Sequence, residues 1–180
     1  SGVVVQNCIF HDTLPTYQVG VSFSGCRTVV SHNYFHNTTV NTGSATECII
    51  EYNRFEGGSK DVTDGGMIYS GGSSSRGNHF RYNLFHMLNA THRAVYNDTM
   101  GSGNYMYYNV VSTLNSRSDH NKPWYSSTGW GNVCYGNIQI FRDWIAESDR
   151  IVFFWRRGRE YGIGHPRFPL SRRAVYAKGI

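Results

Sequence analysis

Val30-Ser-His-Asn33-Tyr-Phe35, Ile50-Glu-Tyr-Asn53-Arg-Phe55 and Phe80-Arg-Tyr-Asn83-Leu-Phe85 are one phrase written three times: an apolar residue, two variable residues, Asn, one variable residue, Phe. Looser copies flank it at Val4-Val-Gln-Asn7-Cys-Ile9, Met106-Tyr-Tyr-Asn109-Val-Val111 and Cys134-Tyr-Gly-Asn137-Ile-Gln139. The steps from Asn to Asn are 26, 20, 30, 26 and 28 residues. Recurrence on that scale is the signature of a stacked repeat architecture, in which each repeat buries its apolar face against the next.

A second column runs in phase with the first. Gly20-Val-Ser-Phe23-Ser-Gly25 aligns with Gly66-Met-Ile-Tyr69-Ser-Gly71, and Ala94-Val-Tyr96 and Pro123-Trp-Tyr125 take the same slots. Phe23, Tyr69, Tyr96 and Tyr125 are thus expected to stack. The coil ending at Asn53 has no aromatic there.

Between Ser1 and about Ile140 the chain reads as short strands broken by polar turns. Val3–Val5, Val19–Phe23, Arg27–Val30, Glu47–Ile50, Met67–Tyr69, His79–Arg81, Arg93–Tyr96, Asn104–Tyr108 and Asn132–Tyr135 are short and rich in β-branched or aromatic residues. No helical period is sustained. The spacing predicts an all-β parallel solenoid of about six coils. Asn suits the corners, because it tolerates the left-handed region and bonds its own backbone. Stacked coil on coil, each amide can donate to the next.

The 180 residues fit one domain, with 39% apolar, 15% aromatic and 16% charged residues, a balance that excludes a disordered chain. No apolar run approaches the roughly 18 residues of a membrane span, so no membrane partner is expected. The N-terminus carries no basic-then-apolar leader, so either none exists or it has been removed. Cys8, Cys26, Cys48 and Cys134 follow no zinc spacing; free core thiols are expected, with a disulfide as the alternative.

The net charge of +5 belongs to the tail: residues 1–140 hold eight basic and eight acidic residues, residues 141–180 nine and four. The chain therefore divides into a solenoid, 1–140, and a basic, aromatic segment, 141–180. Ile151-Val-Phe-Phe-Trp155 could cap the solenoid's last strands, and Asp143–Glu147 could begin a helix. No nucleic-acid motif accompanies the arginines, and no nucleic-acid partner is expected.

Asn-x-Phe at coil spacing resembles the right-handed parallel β-helix, or pectate-lyase-like, superfamily. Arg76-Gly-Asn-His-Phe-Arg-Tyr-Asn-Leu-Phe-His86, then Ala94-Val-Tyr-Asn-Asp98 and Gly101-Ser-Gly-Asn104, resembles its carbohydrate-active members, whose wording is close to Tyr-Leu-Asp-Asp before a Ser-Gly-Asn turn. Here the first Asp position is Asn97. The resemblance implies a secreted protein, extracellular or periplasmic, whose partner is a polysaccharide or oligosaccharide. It does not fix the oligomeric state.

Candidate site residues lie where the columns break their own rule. Two places after the column aromatic stand Gly25, Gly71, Asp98 and Ser127; three places before it, Gly20, Gly66, Arg93 and Lys122; five before it, Gln18, Asp64, Thr91 and His120. Asp98, Asp64, Arg93, His92 and Lys122 are the catalytic candidates. Tyr69, Tyr96, Tyr125, Asn97, His86 and His120 are the candidates for binding sugar.

Each has a plainer role: Asp64 and Asp98 as turn residues, Arg93 and Lys122 as surface charges, the tyrosines as wall, His11, His36 and His86 as polar turn residues. Two carboxylates on adjacent coils suit glycoside hydrolysis, the favoured reaction. Arg93, Lys122 and a histidine suit β-elimination from a uronate glycan, which would add a calcium ion held by Asp98; otherwise no cofactor or metal is expected. The third reading is a non-catalytic carbohydrate-binding or adhesin-type β-helix, or a fragment of a larger enzyme.

Overall fold

A computed structural model describes residues 2–13, 19–57, 65–87, 93–113, 124–126, 129–141, 150–155 and 174–178. Each phrase is a strand, a corner and a second strand. The strands before the corner, β1 (Val4–Gln6), β4 (Val29–Ser31), β7 (Ile49–Glu51), β10 (His79–Arg81), β13 (Tyr105–Tyr107) and β16 (Val133–Tyr135), form sheet A in that order. Those after it, β2 (Ile9–His11), β5 (Tyr34–His36), β8 (Arg54–Gly57), β11 (Leu84–Met87), β14 (Val110–Thr113) and β17 (Ile138–Phe141), form sheet B. Sheet C holds β3 (Val19–Ser22), β6 (Thr39–Gly43), β9 (Gly66–Ser70), β12 (Arg93–Asn97) and β15 (Trp124–Ser126).

Every pairing among these strands is parallel. The chain visits A, B and C in turn, so it is a parallel β-solenoid, with no helix among the described residues. Beyond β17, β18 (Arg150–Trp155) and β19 (Ala174–Lys178) extend sheet B in the antiparallel sense. The proposed start of a helix at Asp143–Glu147 lies outside the described residues.

The apolar residue opening each phrase points inward: Val30, Ile50, Phe80 and Met106 are buried in one register column of sheet A. The Phe closing it does the same in sheet B. Phe10, Phe35, Phe55 and Phe85 stack face to face at 4.9, 4.7 and 4.9 Å between centroids. Such offset stacks add to the burial of the rings.

Asn fills the corner differently from the sequence expectation. The left-handed residue is the one before it: His32, Tyr52, Tyr82, Tyr108 and Gly136 have φ of 56, 55, 54, 54 and 62°. Their turn aims the Asn side chain inward along the stack. The Oδ1 of Asn53 accepts from the backbone N–H and the Nδ2 of Asn33, at 2.9 and 3.0 Å. The same pair of bonds links Asn53 to Asn83, Asn83 to Asn109, and Asn109 to Asn137. Each Nδ2 also donates to a sheet A carbonyl one coil back, from Asn53 to Val30 and from Asn83 to Ile50. The ladder thus satisfies corner groups that burial would otherwise orphan.

Two sequence alignments move by one residue. In the first coil β1 pairs Val5 with Val30, so Cys8, not Asn7, takes the Asn slot and its N–H donates to Asn33 Oδ1. In sheet C the column through Tyr69 contains Asn41 and Ser22, and Phe23 falls outside it; the register shifts once in β3, between Val19 and Val21, and once in β6, between Asn41 and Gly43. All four cysteines are free, with Cys48 buried and Cys8 and Cys26 exposed.

A second ladder, not foreseen, closes the corner between C and A. Its slots are Thr28, Cys48, Asn78, Asn104 and Asn132, each preceded by a left-handed residue: Arg27, Glu47, Gly77, Gly103 or Gly131. The N–H of Thr28 donates to Cys48 Sγ at 3.3 Å, that of Cys48 to Asn78 Oδ1 at 3.0 Å, that of Asn78 to Asn104 Oδ1 at 3.1 Å, and that of Asn104 to Asn132 Oδ1 at 2.9 Å. Each slot lies five residues before the corresponding slot of the first ladder.

Candidate functional site

Sheet C carries the foreseen cluster. Register pairs Tyr69 with Tyr96 and Tyr96 with Tyr125, and places Arg93 beside Gly66. Ile68 and Val95 belong to the core, so alternation turns Tyr69 and Tyr96 to the other face. Their rings meet edge to face at 5.5 Å, and the Arg93 guanidinium lies 4.7 Å over Tyr96, which is 5% exposed. Tyr69 and Tyr96 are therefore not a flat pair.

Asp98 follows β12. Its N–H donates to Ser70 O on the neighbouring coil, and its carboxylate Oδ2 accepts from the Tyr69 hydroxyl at 2.9 Å. A tight turn begins there, with Gly101 N–H donating to Asp98 O at 3.1 Å. Both central residues, Thr99 and Met100, have positive φ, at 47 and 65°. For a β-branched and a long side chain, each such residue costs about 1–2 kcal/mol. Strain of this kind gathers at functional sites, where the surroundings hold it in place.

Asn97 is 1% exposed, and its Oδ1 accepts from Asn104 Nδ2 at 3.3 Å. That bond ties β12 to the second ladder beneath Asp98. Ser70 and Ser75, bonded Oγ to Oγ at 2.6 Å, continue the tie through Asn78.

Tyr69, Arg93, Tyr96 and Asp98 are therefore brought together. His86 is not among them: it lies on sheet B, in a register column with His36 and Glu56, its Nδ1 3.7 Å from Glu56 Oε1. Asp64, His92, His120 and Lys122 lie outside the described residues, as does the side chain of Tyr125. Among the described residues no three His, Cys, Asp or Glu side chains gather closely enough to hold a metal ion.

Two polar clusters were not foreseen. On sheet B, Glu56 accepts from the Tyr34 hydroxyl and from Arg54 at 3.1 and 2.8 Å. Burial raises its carboxyl pKa, but these two donors, with the charges of Arg54 and His86, outweigh that and hold it below the usual carboxylate value. On sheet A, Arg81 donates to Glu51 at 2.7 Å and to the Tyr107 hydroxyl at 3.0 Å, while His79 Nδ1 meets the same hydroxyl at 3.1 Å. Burial and the Arg81 charge push His79 below its usual pKa, so it is neutral at pH 7. The Tyr107 oxygen accepts from Arg81 and shares a hydrogen bond with His79. The signals in the sequence lay in places read as variable: Glu51, Arg81 and Tyr107 two before the corner Asn, and Tyr34 and Arg54 one after it.

No protein-family model, no curated protein and no solved structure matches the chain. The class stands on the fold: an all-β protein built as a parallel β-solenoid.

Proposed function

We propose that this protein is a secreted, polysaccharide-active β-helix of the pectate-lyase-like kind, and that it hydrolyses glycosidic bonds at sheet C. The observation that carries the reading is the Tyr69 hydroxyl on the Asp98 carboxylate, at 2.9 Å across adjacent coils, beside a strained turn. An oxygen that accepts from a phenol is offered as a carboxylate, which suits the nucleophile or the base of hydrolysis. The general acid is assigned to Asp64. Arg93 supplies a cation beside Tyr96, and Asn97 fixes the end of β12 from below. The glycan lies along sheet C, across successive coils.

The test incubates the protein with neutral and uronate glycans and follows two signals, reducing ends and the absorbance of an unsaturated product. Reducing ends alone mean hydrolysis; both signals together mean elimination. Asp98→Asn abolishes the activity, and Tyr69→Phe lowers kcat about tenfold or more through loss of the held carboxylate. Full activity in Asp98→Asn, or neither signal from any glycan, overturns the proposal; binding without either signal establishes the non-catalytic module instead.

A further inference from the structure

The corner between sheets A and B carries an aromatic row that the fold does not require. His32, Tyr52, Tyr82 and Tyr108 occupy one left-handed position on successive coils, with centroids 5.1, 5.2 and 5.6 Å apart and planes within 24° of parallel. A bulky side chain is poorly suited to positive φ. The same position is filled by Asn7 in the first coil and by Gly136 in the last, and the matching position of the other corner by Arg27, Glu47 and three glycines. The turn can thus be made without a ring. Yet Tyr52, Tyr82 and Tyr108 are present and stay 50, 41 and 49% exposed.

What the row offers follows from its geometry. Tyr52 lies between His32 and Tyr82, Tyr82 between Tyr52 and Tyr108, and Tyr108 between Tyr82 and Gly136, where a β-carbon would sit 2.5 Å from the ring. Faces are taken, so what reaches solvent is rims and hydroxyls. Tyr34, Tyr69 and Tyr107 direct their hydroxyls to protein partners. Among the described residues those of Tyr52, Tyr82 and Tyr108 have none. Beside the row, Arg81 lies 5.9 Å from the Tyr82 ring, with its charge matched by Glu51.

We infer that this corner is a second glycan-binding surface, separate from sheet C: Tyr52, Tyr82 and Tyr108 hold a neutral, linear, hydroxyl-rich polysaccharide along the solenoid axis by hydrogen bonds to their phenol rims. A line of identical hydroxyl groups, repeated once per strand spacing, suits a polymer that repeats on a similar scale. A net-neutral setting selects against a polyanion. The lack of open ring faces selects against the apolar core that protein partners need. The ligand class rests on this surface's own chemistry and survives if Asp98 proves inert.

The experiment is calorimetric titration with cellohexaose, xylohexaose and chitohexaose. Tyr52→Phe/Tyr82→Phe/Tyr108→Phe keeps the stack and removes the hydroxyls; Tyr52→Asn/Tyr82→Asn/Tyr108→Asn removes the rings and installs the residue that Asn7 shows this turn to accept. Wild type binds at least one hexasaccharide. The Phe variant binds it about tenfold or more weakly at this surface, and the Asn variant, folded by circular dichroism, loses this surface's binding while its release of reducing ends, the readout of sheet C, matches wild type. The inference is overturned if wild type binds none, or if the Phe or the Asn variant binds as tightly as wild type. Concentration-dependent dimerisation, lost in the Asn variant with no glycan bound, would overturn it in favour of self-association.

Discussion

Removing one side chain of the first ladder is expected to cost a large part of the fold's stability, and Asn83→Ala is the variant to make. Asn83 is 2% exposed and sits mid-stack. Its Oδ1 accepts from the N–H and the Nδ2 of Asn53, each at 3.0 Å, and its Nδ2 donates to Ile50 O at 2.9 Å and to Asn109 Oδ1 at 3.1 Å. Alanine leaves the Asn53 N–H buried without its acceptor, about 1–3 kcal/mol, and deletes three further bonds at roughly 0.5–1.5 kcal/mol each. Relaxation recovers part of this, so the expected loss is about 3–5 kcal/mol, set against a total of about 5–15 kcal/mol for a domain.

Urea unfolding followed by far-UV circular dichroism measures it, with a fall in midpoint at unchanged slope. Asn83→Asp is the partner experiment. It keeps the acceptor but faces a second oxygen toward Ile50 O and Asn109 Oδ1, which raises the folded-state pKa of the new carboxyl. Its deficit relative to wild type therefore shrinks as pH falls through that raised value and grows as pH rises. A loss below about 1 kcal/mol for Asn83→Ala, within the range of many surface substitutions, would refute the ladder as a main support.

Cys48→Asn is expected to stabilise the protein by about 1 kcal/mol, because Asn there accepts from Thr28 N–H in place of a weak sulfur acceptor at 3.3 Å and donates toward Gly25 O, now 3.8 Å from the thiol; a rise in melting temperature checks it. Gly136→Ala is expected to cost about 1–2 kcal/mol for a left-handed β-carbon, plus the clash with the Tyr108 ring at 2.5 Å; a double-mutant cycle with Tyr108→Asn separates the two, since only the clash is relieved. Glu56 is held below its unfolded pKa, so its contribution is present above the ordinary carboxylate value and is lost as pH falls through the folded value; thermal melts from about pH 6 to about pH 3 should show a shallower acid loss in Glu56→Gln.

The solenoid was legible because its interior is repetitive. Val30, Ile50, Phe80 and the Phe column recur at fixed distances from an Asn that only stacking explains. The corner was misread by one residue because intrinsic preference names Asn as the left-handed residue, whereas tertiary hydrogen bonding places it just after, with a Tyr or His taking the strained slot. The second ladder stayed hidden because Thr28 and Cys48 fill its first slots, so identity is lost while geometry is kept. Of the sheet C cluster, Asp98, Tyr69, Arg93 and Tyr96 were readable from broken columns. The separation of His86 was not: being near in sequence, across a change of sheet, says nothing about the face on which a side chain emerges.

The two ladders divide every coil into a part that cannot change length and a part that can. From the second ladder to the first there are always five residues, while from the first onward to the next coil's second ladder there are 20, 15, 25, 21 and 23. The difference in length between coils is therefore confined to one flank, like beads of a necklace all strung on the same side of the clasp. A lineage could reshape that flank freely, loop by loop, without disturbing the inter-coil amide stack or the tyrosines beside it.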